Sequence, residues 1–171
     1  MDITDGGNTL KIKEDRRATV EAKSDFQLAA EAGDAYIWAI ESYDFTAVDT
    51  VLLVRNDNSS KTLHITKVIV ESDATLSEVE IHRVTAAFTI AGTAVVGTNL
   101  LPGGSAADAT AKATETGNTQ GTVIERRQSH ASTPLIVDFE GAVELNNAQA
   151  IGIDLATGGD WVMASIWGYF K

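Results

Sequence analysis

The 171-residue sequence contains no cysteine. That removes disulfide frameworks, thiolate nucleophiles and Cys-ligated zinc together, and it suits a chain that folds in a reducing cytoplasm. The start, Met1 to Gly7, is polar and acidic. It lacks the basic lead and apolar run of a signal peptide, so export by that route is not expected. No apolar stretch approaches the roughly 18 to 20 residues that a membrane-crossing helix needs. Basic residues are scarce as well: 13 Lys and Arg stand against 24 Asp and Glu, a formal net charge of -11. Such a chain repels phosphate backbones, and the doublets Arg16-Arg17 and Arg126-Arg127 are too small to reverse that. Acidity of this kind keeps a surface soluble; its functional alternatives are adaptation to salt or docking onto a basic partner.

The alternation of apolar and polar residues is what the sequence has in quantity. Leu10 and Ile12 alternate with lysines, Tyr36, Trp38 and Ile40 with small or polar residues, and Val79 and Ile81 with Glu78, Glu80 and His82. A period of two marks half-buried strands. Thr50 to Arg55 is a continuous apolar run, as in a central strand, and Asn56 to Ser60 is a turn, because Asn and Asp accept left-handed backbone and cap themselves. Leu63 and Ile65 shift phase to Val68 and Val70, which places a β-bulge at Thr66-Lys67. Ser24 to Gly33 is ambiguous between a strand and a helical turn. From Thr98 to Gly121, Gly, Ala, Ser and Thr dominate; this reads as a long loop with a short helix over 106–114, and Leu100 and Leu101 are its last apolar cluster. Pro134 to Lys171 reads as three successive strands.

About nine or ten short strands with a turn signal about every 8 to 12 residues, and no long amphipathic helix, predict an all-β antiparallel sandwich. A jelly roll is the favoured variant, with a Greek-key immunoglobulin-like topology as its competitor. Residues 1–17 are expected to be a flexible arm carrying the first edge strand, and 18–171 a single sandwich domain. The last strand is apolar on both sides. Trp161, Met163 and Trp167 share one face, Val162, Ile166 and Phe170 the other. With no helix to cover a second apolar face, one of the two is expected in a subunit interface. The interface candidates are therefore Val162, Met163, Ile166, Trp167, Phe170, Leu100 and Leu101.

Catalytic patterns are missing. There is no G-x-S-x-G, G-x-x-x-x-G-K, G-x-G-x-x-G or H-E-x-x-H. His64 and His82 fall on strands where they could meet; Glu78 with Glu80, and Asp138 with Glu140 and Glu144, form acidic rows of the kind that faces water. Asp57-Asn58 and Asp154 with Asp160 supply oxygens of the type Ca²⁺ takes, without an EF-hand spacing. Asn58-Ser59-Ser60 has the form of a glycosylation sequon but reads as a turn. The aromatics Tyr36, Trp38, Trp161, Trp167 and Tyr169 fit core and interface roles, or a sugar-stacking platform. The expectation is a protein that is not an enzyme and holds no cofactor or metal.

Three stretches resemble the jelly-roll decoration (cement) proteins of tailed-bacteriophage heads. They are Thr50 to Asn56 followed by Leu63-His64-Ile65, Gly92 to Leu100 leading into Ala106 to Ala113, and Ala150 to Ile153 with the aromatic last strand. The resemblance implies a structural virion protein made in the host cytoplasm and carried on the capsid surface. It implies a homo-oligomer, a trimer, that contacts the major capsid protein or other virion subunits and binds neither nucleic acid nor membrane. Tail, baseplate and receptor-binding proteins with a carbohydrate-binding sandwich share such domains and form the alternative.

Overall fold

Strand β5 (Thr50–Asn56) is buried along almost its whole length, which puts it inside a sheet covered on both sides. The chain is described by a computed structural model over residues 2–5, 8–12, 18–45, 50–73, 77–84, 92–115, 121–156 and 160–171. The Arg16-Arg17 doublet, the Thr157 to Gly159 turn and most of the apolar stretch before Val96 lie outside these residues. Strands β1 (Asp2–Asp5), β2 (Asn8–Ile12) and β3 (Ala18–Glu21) form a three-stranded antiparallel meander. β3, expected to open the sandwich, pairs with β2 instead.

Ser24 to Gly33 resolves as a helix, α1 (Asp25–Ala32). Its ends explain why so short a helix holds. The Ser24 hydroxyl accepts from the Gln27 amide and the Gln27 side chain accepts from the Ser24 amide, a capping box. Gly33 at φ 79° takes the left-handed turn that stops it, with the Asp34 amide returning to the Ala29 carbonyl.

The remaining strands are β4 (Ala35–Phe45), β6 (Leu63–Ser72), β7 (Ser77–Val84), β8 (Thr93–Val95), β9 (Thr98–Asn99), β10 (Ala109–Glu115), β11 (Thr122–Ser129), β12 (Leu135–Leu145), β13 (Ala150–Leu155) and β14 (Asp160–Phe170). They build two antiparallel sheets, ordered β11-β7-β13-β5-β10-β8 and β12-β6-β14-β4-β9, packed face to face. The predicted all-β sandwich is the observed architecture. Its pairing is nested: β4 with β14, β5 with β13, β6 with β12, β7 with β11. The chain therefore behaves as one long hairpin rolled across both layers. The three C-terminal strands exist as expected, yet no two of them pair with each other, because β13 crosses to the other sheet.

Lys67 pairs with Trp167 and Ile65 with the adjacent Gly168, so one extra residue sits in β6 and the bulge at Thr66-Lys67 is present. The turn at Asn56 to Ser60 is present, its amides held by the Asn56 and Asn58 side chains. The long loop with a helix over 106–114 is a correction. Residues 98–99 and 109–115 are strands, and β10 is held between β5 and β8 with Ala111 and Ala113 buried. Residues 100–108 form a short irregular connection between β9 and β10. Asn99 ties it down, donating to the Gly33 and Ser105 carbonyls and accepting from the Leu101 amide.

The core fills the gap between the sheets. Trp38, Leu63, Ile65, Val68, Leu145 and Ile166 meet Leu52, Val54, Ile81, Ile151, Ile153 and Leu155, all of them essentially inaccessible to water. Burial of a dozen such side chains, at about 1.5 to 3 kcal/mol each, outweighs any other single contribution to this fold.

Candidate docking face

β14 alternates strictly. Val162, Ala164, Ile166 and Phe170 point inward; Trp161, Met163, Ser165 and Trp167 point outward. Val162, Ile166 and Phe170 are thus removed from the interface candidates, since the six-stranded sheet covers them. Met163 and Trp167 stay on the open side. Leu100 packs beside Ala29, Ala35 and Tyr169, while Leu101 remains exposed.

Cross-strand register extends the open side into a surface. One row runs Ile136, Ile69, Ser165, Ala39 across β12, β6, β14 and β4. The next runs Asp138, Lys67, Trp167, Ile37. Ile136 is 59% exposed, Trp161 51% and Met163 43%, three large apolar side chains open to solvent on the same face. A shallow groove of about 220 Å³ runs through it, lined by Ala39, Ile69, Pro134 and Met163 with Glu71 at its side.

Toward α1 the surface deepens into a second groove of about 550 Å³. Trp167 and Tyr169 are among its lining residues, as are Phe26 of α1 and Asp138 and Glu140 of β12. The Lys67 ammonium lies 5.8 Å from the Trp167 ring centre, within cation–π range. The Trp167 indole nitrogen donates to the Ser165 hydroxyl. Glu140 sits at φ 52° and Gly141 at φ 84°, where β12 departs from register between Asp138 and Val143. His64 stacks on Tyr169 with ring centres 5.0 Å apart, and burial holds the Tyr169 phenol above its ordinary pKa. Lys171 bonds Asp25 at 2.8 Å, which lowers the Asp25 carboxyl and raises the lysine.

The opposite outer face has another character. Arg126 pairs with both Glu78 and Glu80, and His82 lies 3.1 Å from Glu80 and 3.9 Å from the buried Asp154. The carboxylates of Glu78 and Glu80 are therefore met by a guanidinium of the chain itself. His64 and His82 do not meet, because they sit on the outer faces of different sheets. His130 forms a separate bridge with Thr133. Asp57 is taken up by Arg55 and Thr110, and Asp154 and Asp160 belong to strands of different sheets. Among the described residues no group of three or more His, Asp or Glu is arranged to hold a metal ion, and no helix is long and apolar enough to cross a membrane.

Ile136 and Ile69 belong to this face without being marked as such by the period-two pattern. Both break the alternation of their strands: Ile136 lies between the inward Leu135 and Val137, Ile69 between Val68 and Val70. An isoleucine in a polar phase was the available signal. No family model, no curated protein and no solved structure matches the chain.

Proposed function

We propose that this chain is a non-enzymatic structural protein that attaches to a larger assembly through the outer face of its five-stranded sheet, as a decoration protein on the outer surface of a phage capsid. The observation that carries the reading is the exposure of Ile136, Trp161 and Met163 together on one side of the sandwich, opposite a face on which Arg126 pairs with Glu78 and Glu80. The sheet edges support docking by a face. β8 and β9 are three and two residues long, and β11 and β12 both carry irregular register, devices that discourage strand addition. The nested pairing of β4 to β7 with β14 to β11 supports a jelly-roll connectivity, the domain type of the proteins that the sequence resembles. The proposed working form is a homotrimer bound to the major capsid protein.

Electron cryomicroscopy of particles assembled with and without the chain tests this reading. Added density on the outer surface of the head is expected. Density only at the tail, or none, overturns the capsid assignment. Light scattering adds a second check, because a clean monomer counts against the trimer.

A second reading rests on the groove beside Trp167. Aromatic rings next to carboxylates and a lysine are also the furniture of a saccharide site. A glycan array separates the two: specific hits abolished by Trp167→Ala favour a receptor-binding module of a tail or baseplate, and an empty array removes it.

A further inference from the structure

We propose that the outer face of the five-stranded sheet receives a protein surface with an apolar centre and a rim of lysine or arginine, and not a second copy of this chain. The inference rests on the docking reading above and adds the chemistry of the partner. The apolar strip runs along β14 from Trp161 to Trp167, about 20 Å, and across from β12 to β4, about 14 Å, from ordinary strand spacings. It therefore covers on the order of 300 Å², whereas a stable contact needs about 800 Å² per side. The remainder must come from the rim, so the rim selects the partner.

That rim is acidic. Glu71 lies beside Met163, Asp73 accepts from the Trp161 amide, and Asp138, Glu140 and Glu144 line the exposed side of β12. Among the described outward residues of β4, β6, β12 and β14, Lys67 is the only lysine or arginine, and its ammonium is directed over Trp167. Two copies meeting here would set carboxylates against carboxylates within a molecule already at -11. A basic rim would meet complementary charge along β12, beside Met163 and at the Trp161 end of the strip.

The test uses the full chain and a helical probe peptide with a leucine stripe flanked by lysines. Controls exchange the lysines for glutamates, or the leucines for serines. Indole and methionine methyl NMR signals of Trp161, Trp167 and Met163 report binding. The Leu/Lys peptide should shift these signals and bind at least about tenfold more tightly than either control, and Glu71→Lys with Asp138→Lys should invert the preference toward the Leu/Glu peptide. Equal binding of the Leu/Glu peptide overturns the proposal. So does sedimentation showing self-association that Trp161→Ser with Met163→Ser abolishes. Binding of the Leu/Lys peptide by a chain that finds no place on capsids would sink the virion reading and leave this inference standing. Capsid binding that survives Trp161→Ser with Met163→Ser would do the reverse.

Discussion

The side chain of Asn56 closes the sandwich at one end: its Nδ2 donates to the Leu145 carbonyl at 2.8 Å, joining the last residue of β5 to the last residue of β12 in the other sheet. A second Nδ2 hydrogen reaches the Lys61 carbonyl at 2.9 Å, and Oδ1 accepts from the Asn58 amide. The residue is fully buried. Asn56→Ala strands the Leu145 carbonyl in a buried setting and leaves the half-buried Lys61 carbonyl and Asn58 amide without this partner, at a cost of about 2 to 4 kcal/mol. Urea unfolding should show a lower midpoint at unchanged slope. Asn58→Ala, in an exposed turn, should cost about 1 kcal/mol or less. Equal effects from the two would mean that Asn56 is no cross-sheet tie.

Met163 and Ile166 differ by three positions and should differ completely in tolerance. Ile166 is fully buried between the sheets, so Ile166→Glu puts an unpaired charge into the core at about 3 to 5 kcal/mol or more, enough to unfold a domain of ordinary stability. Met163→Glu faces water and should change stability by about 0.5 kcal/mol while removing attachment to the partner assembly. Thermal melting and a particle-binding assay on both variants decide it. A Met163→Glu protein that melts as early as Ile166→Glu would make the outward face part of a covered core.

Period-two alternation is a local property, which is why the sandwich and the division of β14 into two faces could be read from sequence. What stayed hidden was set by distant partners. Residues 109–115 (Ala-Thr-Ala-Lys-Ala-Thr-Glu) carry helix-favouring alanines and a lysine, and become β10 because β5 and β8 pair with it on either side. Tertiary pairing overrides a weak local preference of this kind. The candidate docking face was half legible. Trp161, Met163 and Trp167 could be placed on one side of one strand, but β6 and β12 had to be set beside it before Ile69 and Ile136 joined them. The sequence also could not say which side of β14 the second sheet would take.

Gly97 lies against the ring of Trp38, and a methyl group there would come within 2.5 Å of the indole nitrogen. Trp38 is wholly buried and its ring cannot bend away. Gly97→Ala should therefore cost about 1 to 3 kcal/mol through overpacking and alter the near-ultraviolet circular dichroism of the core tryptophan. Gly103 offers the contrast: nothing lies within 4 Å, and only its φ of 76° penalises a side chain. Gly103→Ala should cost about 1 kcal/mol and leave that spectrum unchanged. An unaltered spectrum in Gly97→Ala would show that the contact is relieved by backbone movement.

Lys171 anchors the end of β14 to the first turn of α1 through Asp25. The bond and charge of Lys171 hold the Asp25 carboxyl below its usual 3.8, and Asp25 in turn raises the lysine above 10.5. The signs follow from linkage. A depressed carboxyl contributes stability that is present above its unfolded pKa and lost as pH falls through the folded one; a raised lysine contributes below its unfolded pKa and loses it as pH rises through the folded value. The tie should therefore hold across the neutral range and fail in acid below the ordinary carboxylate range, and again in strong alkali. Both groups are exposed, so salt should screen it. Carbon-detected NMR titration of Asp25 should move upward toward the ordinary value in Lys171→Met, and in the unaltered chain at about 1 M salt, where the screening length is near 3 Å. Amide exchange in α1 should quicken in the same variant. An Asp25 titration indifferent to both changes would show that the pair is not formed in solution.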